Sequence, residues 1–146
     1  MPDITRPKNA QVDERLRTGP IIWLTTVRPD NRPHMVAVWF LWDGEKFLIF
    51  SQPNTQKLRN LRHNSHVTLA LDDTHGGGDV IVIDGEAELL TNPDVNVTLA
   101  AYAQKYDAFF KRMGSDAGEM AKNRALSGTN VLYINTGTMT LERYVS

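Results

Sequence analysis

The stretch "PIIWLTTVRPDNRPHMVAVWFLWDGEKFLIFSQP", Pro20 to Pro53, decides the fold class. Ile21–Val27 is rich in β-branched and aromatic residues, and "RPDNRP" after it is a cluster of turn formers. Met35–Trp42 is a second such run, "DGE" a tight turn, and Lys46–Phe50 a third run. The pattern predicts two consecutive hairpins in an antiparallel meander. "IIWLTTV" and "MVAVWFLW" are apolar at nearly every position instead of alternating. Strands of that kind are covered on both faces. One face can line a barrel core; the other needs a helix, a ligand or a second subunit.

Downstream, "SQPNTQKLRNLRHNSHVTLAL" (Ser51–Leu71) reads as a strand end, a short basic helix and a fourth strand at Val67–Leu71. "DDTHGGGD" is a long loop, and "VIVIDGEAELL" a fifth strand, bent or bulged near Gly85. Asn92–Met113 is expected to be helical, with Leu99, Tyr102, Ala103, Tyr106, Phe109 and Phe110 on one apolar stripe. "DAGEMAKNRAL" can form a further short helical piece, and "NVLYINTGTMTLERYV" gives one long strand or two short ones. Upstream, residues 1–10 form a loose polar arm. "AQVDERLRTG" follows as a short helix with Val12 and Leu16 on one face and Gly19 as its stop. Together these elements predict a mainly β fold, a small closed antiparallel barrel with helical decoration.

The chain has 146 residues, which fits one domain with a real core. Sixteen Lys and Arg against 17 Asp and Glu leave no global field to recruit nucleic acid or an anionic membrane. Any anion site must be local. The absence of cysteine excludes disulfides, thiolate metal sites and cysteine nucleophiles, and fits a cytoplasmic protein. The first residues lack an apolar signal core, and no apolar run approaches the ~20 residues that cross a bilayer.

The local anion site is expected at the front of the basic helix. A helix beginning near Asn54 or Thr55 offers its open first-turn amides. Ser51, Gln52, Asn54 and Thr55 add neutral donors there, and Lys57 an ammonium. Leu58 and Leu61 would bury one face. A solvated basic surface is the competing account, and it suits Arg62, His63 and His66. His63 and His66 stand three apart with no carboxylate or cysteine beside them, which fits a surface pair and not a metal site. "HGGGD" lacks the Lys-Ser/Thr of a nucleotide loop and links two strands, so it reads as a cleft rim or a plain hairpin loop. Asp72, Asp73 and Asp79 do not match a calcium loop. No serine sits in a nucleophile elbow; any catalysis is expected to belong to a cofactor.

From Gly19 to Leu90 the sequence resembles the FMN-binding split β-barrel superfamily of pyridoxamine 5′-phosphate oxidase. The pattern "VWFLWDG", a strand ending "SQP", then "T-x-K-x-x-N-L" is most similar to the branch that uses the deazaflavin coenzyme F420. The resemblance implies a six-stranded antiparallel split barrel, assembled as a homodimer with two cofactor sites at the subunit interface. It implies a cofactor phosphate held at Ser51–Lys57, with Lys57 the main charge and Thr55 and Gln56 beside it. The tricyclic ring would lie near Val38, Trp39 and Phe40, and the loop at Gly78 and Asp79 would approach from the partner side. The implied activity is hydride transfer from reduced F420 to a small unsaturated or conjugated organic acceptor. The final proton can come from solvent, so no catalytic side chain is assigned, and His75 or Tyr144 are the candidates if a side-chain donor exists. FMN in a flavin reductase or oxidase is the alternative. A non-catalytic haem-binding module is another, with His34, His66 or His75 as axial ligand. The C-terminal "TLERYVS" lacks the Arg-x-His element of the vitamin B6 oxidase, which argues against that oxidation.

Overall fold

The computed structural model describes residues 10–51, 54–72, 79–90, 96–113 and 130–142. In chain order the elements are α1 (Ala10–Thr18), β1 (Ile22–Val27), β2 (Pro33–Val38), β3 (Leu41–Trp42) and β4 (Lys46–Ser51). Then come α2 (Gln56–His63), β5 (His66–Leu71), β6 (Val80–Leu90), α3 (Asn96–Met113) and β7 (Asn130–Glu142). Residues 1–9 of the expected arm, the expected loop residues 73–78 with His75 and Gly78, the expected helical piece at 116–126 and Tyr144 lie outside the described residues.

One antiparallel sheet holds all the described strands in the order β2-β1-β5-β6-β7-β4-β3. The hairpins β1–β2 and β3–β4 are present, but the sheet is not a simple meander. Met35–Trp42 is not one strand: it breaks after Val38, so the sheet has seven strands where six are expected. The two pieces stand on opposite edges of the sheet. Only Trp39 and Phe40 join them, and the three Cα–Cα steps from Val38 to Leu41 reach no further than about 11 Å. The two edges must therefore lie side by side, which curls the sheet into a barrel split at this point.

The break has identifiable causes on α3. The Phe40 N–H donates to the Tyr106 hydroxyl at 2.9 Å, and the Phe40 carbonyl accepts from Lys105 Nζ at 2.7 Å. Both backbone groups are thus satisfied outside the ladder. Trp39 stacks on Tyr106 with centroids 4.1 Å apart and rings 8° from parallel, while the Phe40 ring is fully buried in the core.

Alternation along the strands fills the barrel. Ile22 and Leu24 of β1, Val67, Leu69 and Leu71 of β5, and Ile81 and Ile83 of β6 all point inward. Val12 and Leu16 close the barrel from α1, as their four-residue spacing predicts, and Gly19 N–H ends that helix on Arg15 O at 2.8 Å. Trp42 Nε1 pins the helix by donating to Asp13 Oδ1 at 3.0 Å. The β6–β7 register slips between Ile83 and Gly85, where the bulge is expected. A Cβ at Gly85 would stand 2.6 Å from the Asn135 carbonyl oxygen, so that strand approach admits only glycine.

The expectation of cover on both faces divides in two. On β4, Leu48 is buried and Phe50 meets Tyr102 of α3 edge-on at 4.9 Å, so a helix supplies the second cover. On β1 and β2 the outward residues stay open within one chain: Trp23 is 44% exposed and Met35 60%.

Candidate functional site

The site grows out of the β4–α2 junction. β4 ends on buried Ser51, whose Oγ lies 3.3 Å from Thr55 Oγ1. The chain turns through Asn54, in the left-handed region at φ 65°, which asparagine tolerates better than most residues. Thr55 then caps α2 in an extended conformation but makes no side-chain cap bond. The first amides of a helix have no intrahelical acceptor, and here the cap side chain takes none of them.

Two buried leucines, Leu58 and Leu61, seat the helix on the barrel as their spacing predicts. Between them Asn60 is also buried. Its Nδ2 donates to Thr26 Oγ1 on β1 at 2.9 Å, and its Oδ1 accepts from Gln56 Nε2 at 2.7 Å. Arg59 is turned back on the helix start, donating to Asn54 O and Gln56 Oε1. Lys57 differs from it. The side chain is half-buried, makes no hydrogen bond or ion pair among the described residues, and burial pulls its pKa below the usual lysine value. A partly desolvated ammonium in the first turn of a helix is chemistry that suits an anion. Arg62, His63 and His66 are exposed, in keeping with a solvated surface.

The structure thus brings Ser51, Thr55, Gln56 and Lys57 to one junction; Gln52 and Gly78 lie outside the described residues. Val38 ends β2, packed against the core, and Trp39 and Phe40 follow at the split. Phe40 has no free surface, so Val38 and Trp39 carry what side-chain surface this trio offers. Asp79, its carbonyl bonded by Arg15 Nη2, precedes Val80 at one extremity of β6. Leu90 at the other extremity pairs with Val131, next to Asn130, which pairs with Ser51. Asp79 and the junction therefore stand at opposite ends of β6, some 30 Å apart along an eleven-residue strand.

Sequence reading missed the clamp on Phe40. Lys105 Nζ sits 3.6 Å above the Phe40 ring centroid as well as bonding its carbonyl, and burial lowers its pKa to about 7. The Tyr106 hydroxyl also donates to Pro20 O at 2.7 Å, and burial raises its pKa. In the sequence Tyr106 stands out only as one member of an apolar stripe. Asn60 was visible as the "N" of a motif, with no role. No group of three or more His, Cys, Asp or Glu that could hold a metal occurs among the described residues. Of the histidines, His34 is half-buried on β2 with Nδ1 unbonded, and His66 lies on the exposed face of β5.

The family model for pyridoxamine 5′-phosphate oxidase matches residues 9–139, nearly the whole chain. The chain belongs to the pyridoxamine 5′-phosphate oxidase family. Solved structures share the fold of this family member at low identity. An F420 reductase is 22% identical, with a TM-score of 0.63 over 87% of this chain and 94% of that one. A conserved hypothetical protein of Mycobacterium tuberculosis is 20% identical, with a TM-score of 0.69 over 93% and 84%. The haem storage protein HutZ of Vibrio cholerae is 17% identical, with a TM-score of 0.60 over 92% and 93%. None of the curated proteins compared with the chain matches it in sequence. No helix among the described residues is long and apolar enough to cross a membrane.

Proposed function

We propose that this oxidase-family protein is an oxidoreductase that binds reduced coenzyme F420 and transfers its hydride to a small unsaturated or conjugated organic acceptor. The observation that carries the reading is Lys57: half-buried, without a protein partner among the described residues, and in the uncapped first turn of α2. A phosphate ester is the ligand that such a seat suits best. The "T-x-K-x-x-N-L" pattern and the fold shared with an F420 reductase support the deazaflavin.

In this reading Ser51, Gln52, Thr55, Gln56 and Lys57 hold the phosphate, and the ring lies along Val38 and Trp39 beside Phe40. The cofactor supplies the hydride; the chain's own residues bind and orient it. Two copies pair through the open β1–β2 face. Gly78 and Asp79 of one copy then serve the junction of the other, an arrangement that suits the position of Asp79 at the opposite end of β6 from the junction within a single chain.

Fluorescence titration of the purified protein with F420 tests the reading. Lys57→Ala is expected to weaken binding by roughly 10- to 100-fold, the loss of one charge-assisted hydrogen bond worth about 1.5–3 kcal/mol. A yellow protein with two visible bands after purification would replace F420 by FMN at the same seat. Unchanged affinity in Lys57→Ala would overturn the seat itself.

A further inference from the structure

Asn60 is a fully buried polar side chain at the flank of the buried face of α2, where Leu58 and Leu61 make the apolar contact. A leucine there would bury as much surface without the cost of desolvating an amide. What the amide adds is direction. Sliding or rotating α2 on leucines alone loses little, whereas any such shift breaks the bonds to Thr26 and Gln56. The helix needs that constraint. It is eight residues long and its cap residue makes no side-chain bond, so it cannot hold its own geometry. Gln56 and Lys57 stand four and three residues before Asn60, one turn away. A continuous set of hydrogen bonds thus runs from the barrel wall at Thr26, through Asn60, to Gln56 in the first turn. Its inner end is Thr26, whose cross-strand register partner on β2 is His34.

We propose that Asn60, bonded to Thr26, is the positioning residue of the anion seat: it sets the rotation and depth of α2, and so places Lys57 and the first-turn amides against the cofactor's phosphate. The inference rests on the reading of the β4–α2 junction as a phosphate seat.

The test compares binding of F420 with binding of its phosphate-free deazaflavin chromophore to the full chain. Thr26→Val removes the acceptor at nearly constant volume, Thr26→Ser restores it, and Asn60→Leu removes the amide. Thr26→Val and Asn60→Leu are expected to weaken F420 by about tenfold while leaving the chromophore unchanged, and Thr26→Ser to return F420 binding to that of the parent. If Asn60→Leu does not fold, the Thr26 pair decides. Wild-type F420 binding by Thr26→Val, with Lys57→Ala still weakened, overturns the positioning role and leaves the seat standing. Equal losses for both ligands also overturn it, since they mark a general structural effect. Unchanged binding by Lys57→Ala removes the seat, and the proposal with it.

Discussion

Two half-buried lysines show how the same side chain serves different ends. Lys105 donates to the Phe40 carbonyl and covers its ring, yet burial still outweighs both and brings its pKa to about 7 from the usual 10.5. Between those values the unfolded chain holds more protons than the folded one, so stability rises with pH, by at most about 1.4 kcal/mol per unit. Below pH 7 both states are charged and the full penalty applies. Above about pH 10 Tyr102 and Tyr106, whose pKa values burial raises, act in the opposite direction. The melting midpoint is therefore expected to climb from pH 7 to 9.5, and Lys105→Met to flatten the climb. Parallel pH profiles for the two proteins would rule this out. Lys57 is also desolvated but has no protein acceptor among the described residues. An anion held there, as proposed, favours the charged form, so affinity for a phosphate ligand is expected to fall as pH rises through the lowered Lys57 pKa. Titrations across the alkaline range, with Lys57→Arg as the variant that stays charged, check the loss.

Among the elements, α3 determines how the barrel closes. Its Tyr106 hydroxyl takes the Phe40 N–H and reaches Pro20 O, joining the split between β2 and β3 to the start of β1. Tyr106→Phe keeps the ring that stacks on Trp39 but leaves the buried Phe40 N–H and the part-buried Pro20 carbonyl short of a partner. It is expected to cost about 1–3 kcal/mol, measured by denaturant unfolding. A loss below about 0.5 kcal/mol would mean that water satisfies those groups equally well. Sequence could place the runs on either side of this split but not the split itself. "MVAVWFLW" is uniformly suited to strand, and nothing local marks Trp39 and Phe40 as the residues that leave the ladder. The short α2 was legible for the opposite reason, since Leu58 and Leu61 fix its buried face from spacing alone.

At the scale of the whole molecule the open question is what covers β1 and β2. Ile21, Trp23 and Met35 form an exposed apolar face, continued on β1, β5 and β6 by a shallow depression of ≈ 240 Å³ lined in part by Thr25, Thr68 and Asp84. A second copy on this face would need about 800 Å² from each partner for a stable pair. Sedimentation is expected to give a dimer at micromolar concentration, and Trp23→Glu a folded monomer with weakened F420 binding. A parent protein that sediments as a monomer would remove both the pairing and the partner's role for Asp79.

The sequence by itself determined the strand-forming runs, the seats of α1 and α2, the bulge at Gly85 and the residue types that meet at the β4–α2 junction. Each of these rests on local spacing, residue conformation or charge, which adjacent residues specify. Only the tertiary structure decided that one apolar run serves both edges of the sheet, that Lys105 and Tyr106 hold the split, and that Asn60 bonds to Thr26. It also set Asp79 at the far end of β6 from Lys57. Those are contacts between residues tens of positions apart, and their partners are chosen by the closure of the barrel and by no pattern along the chain.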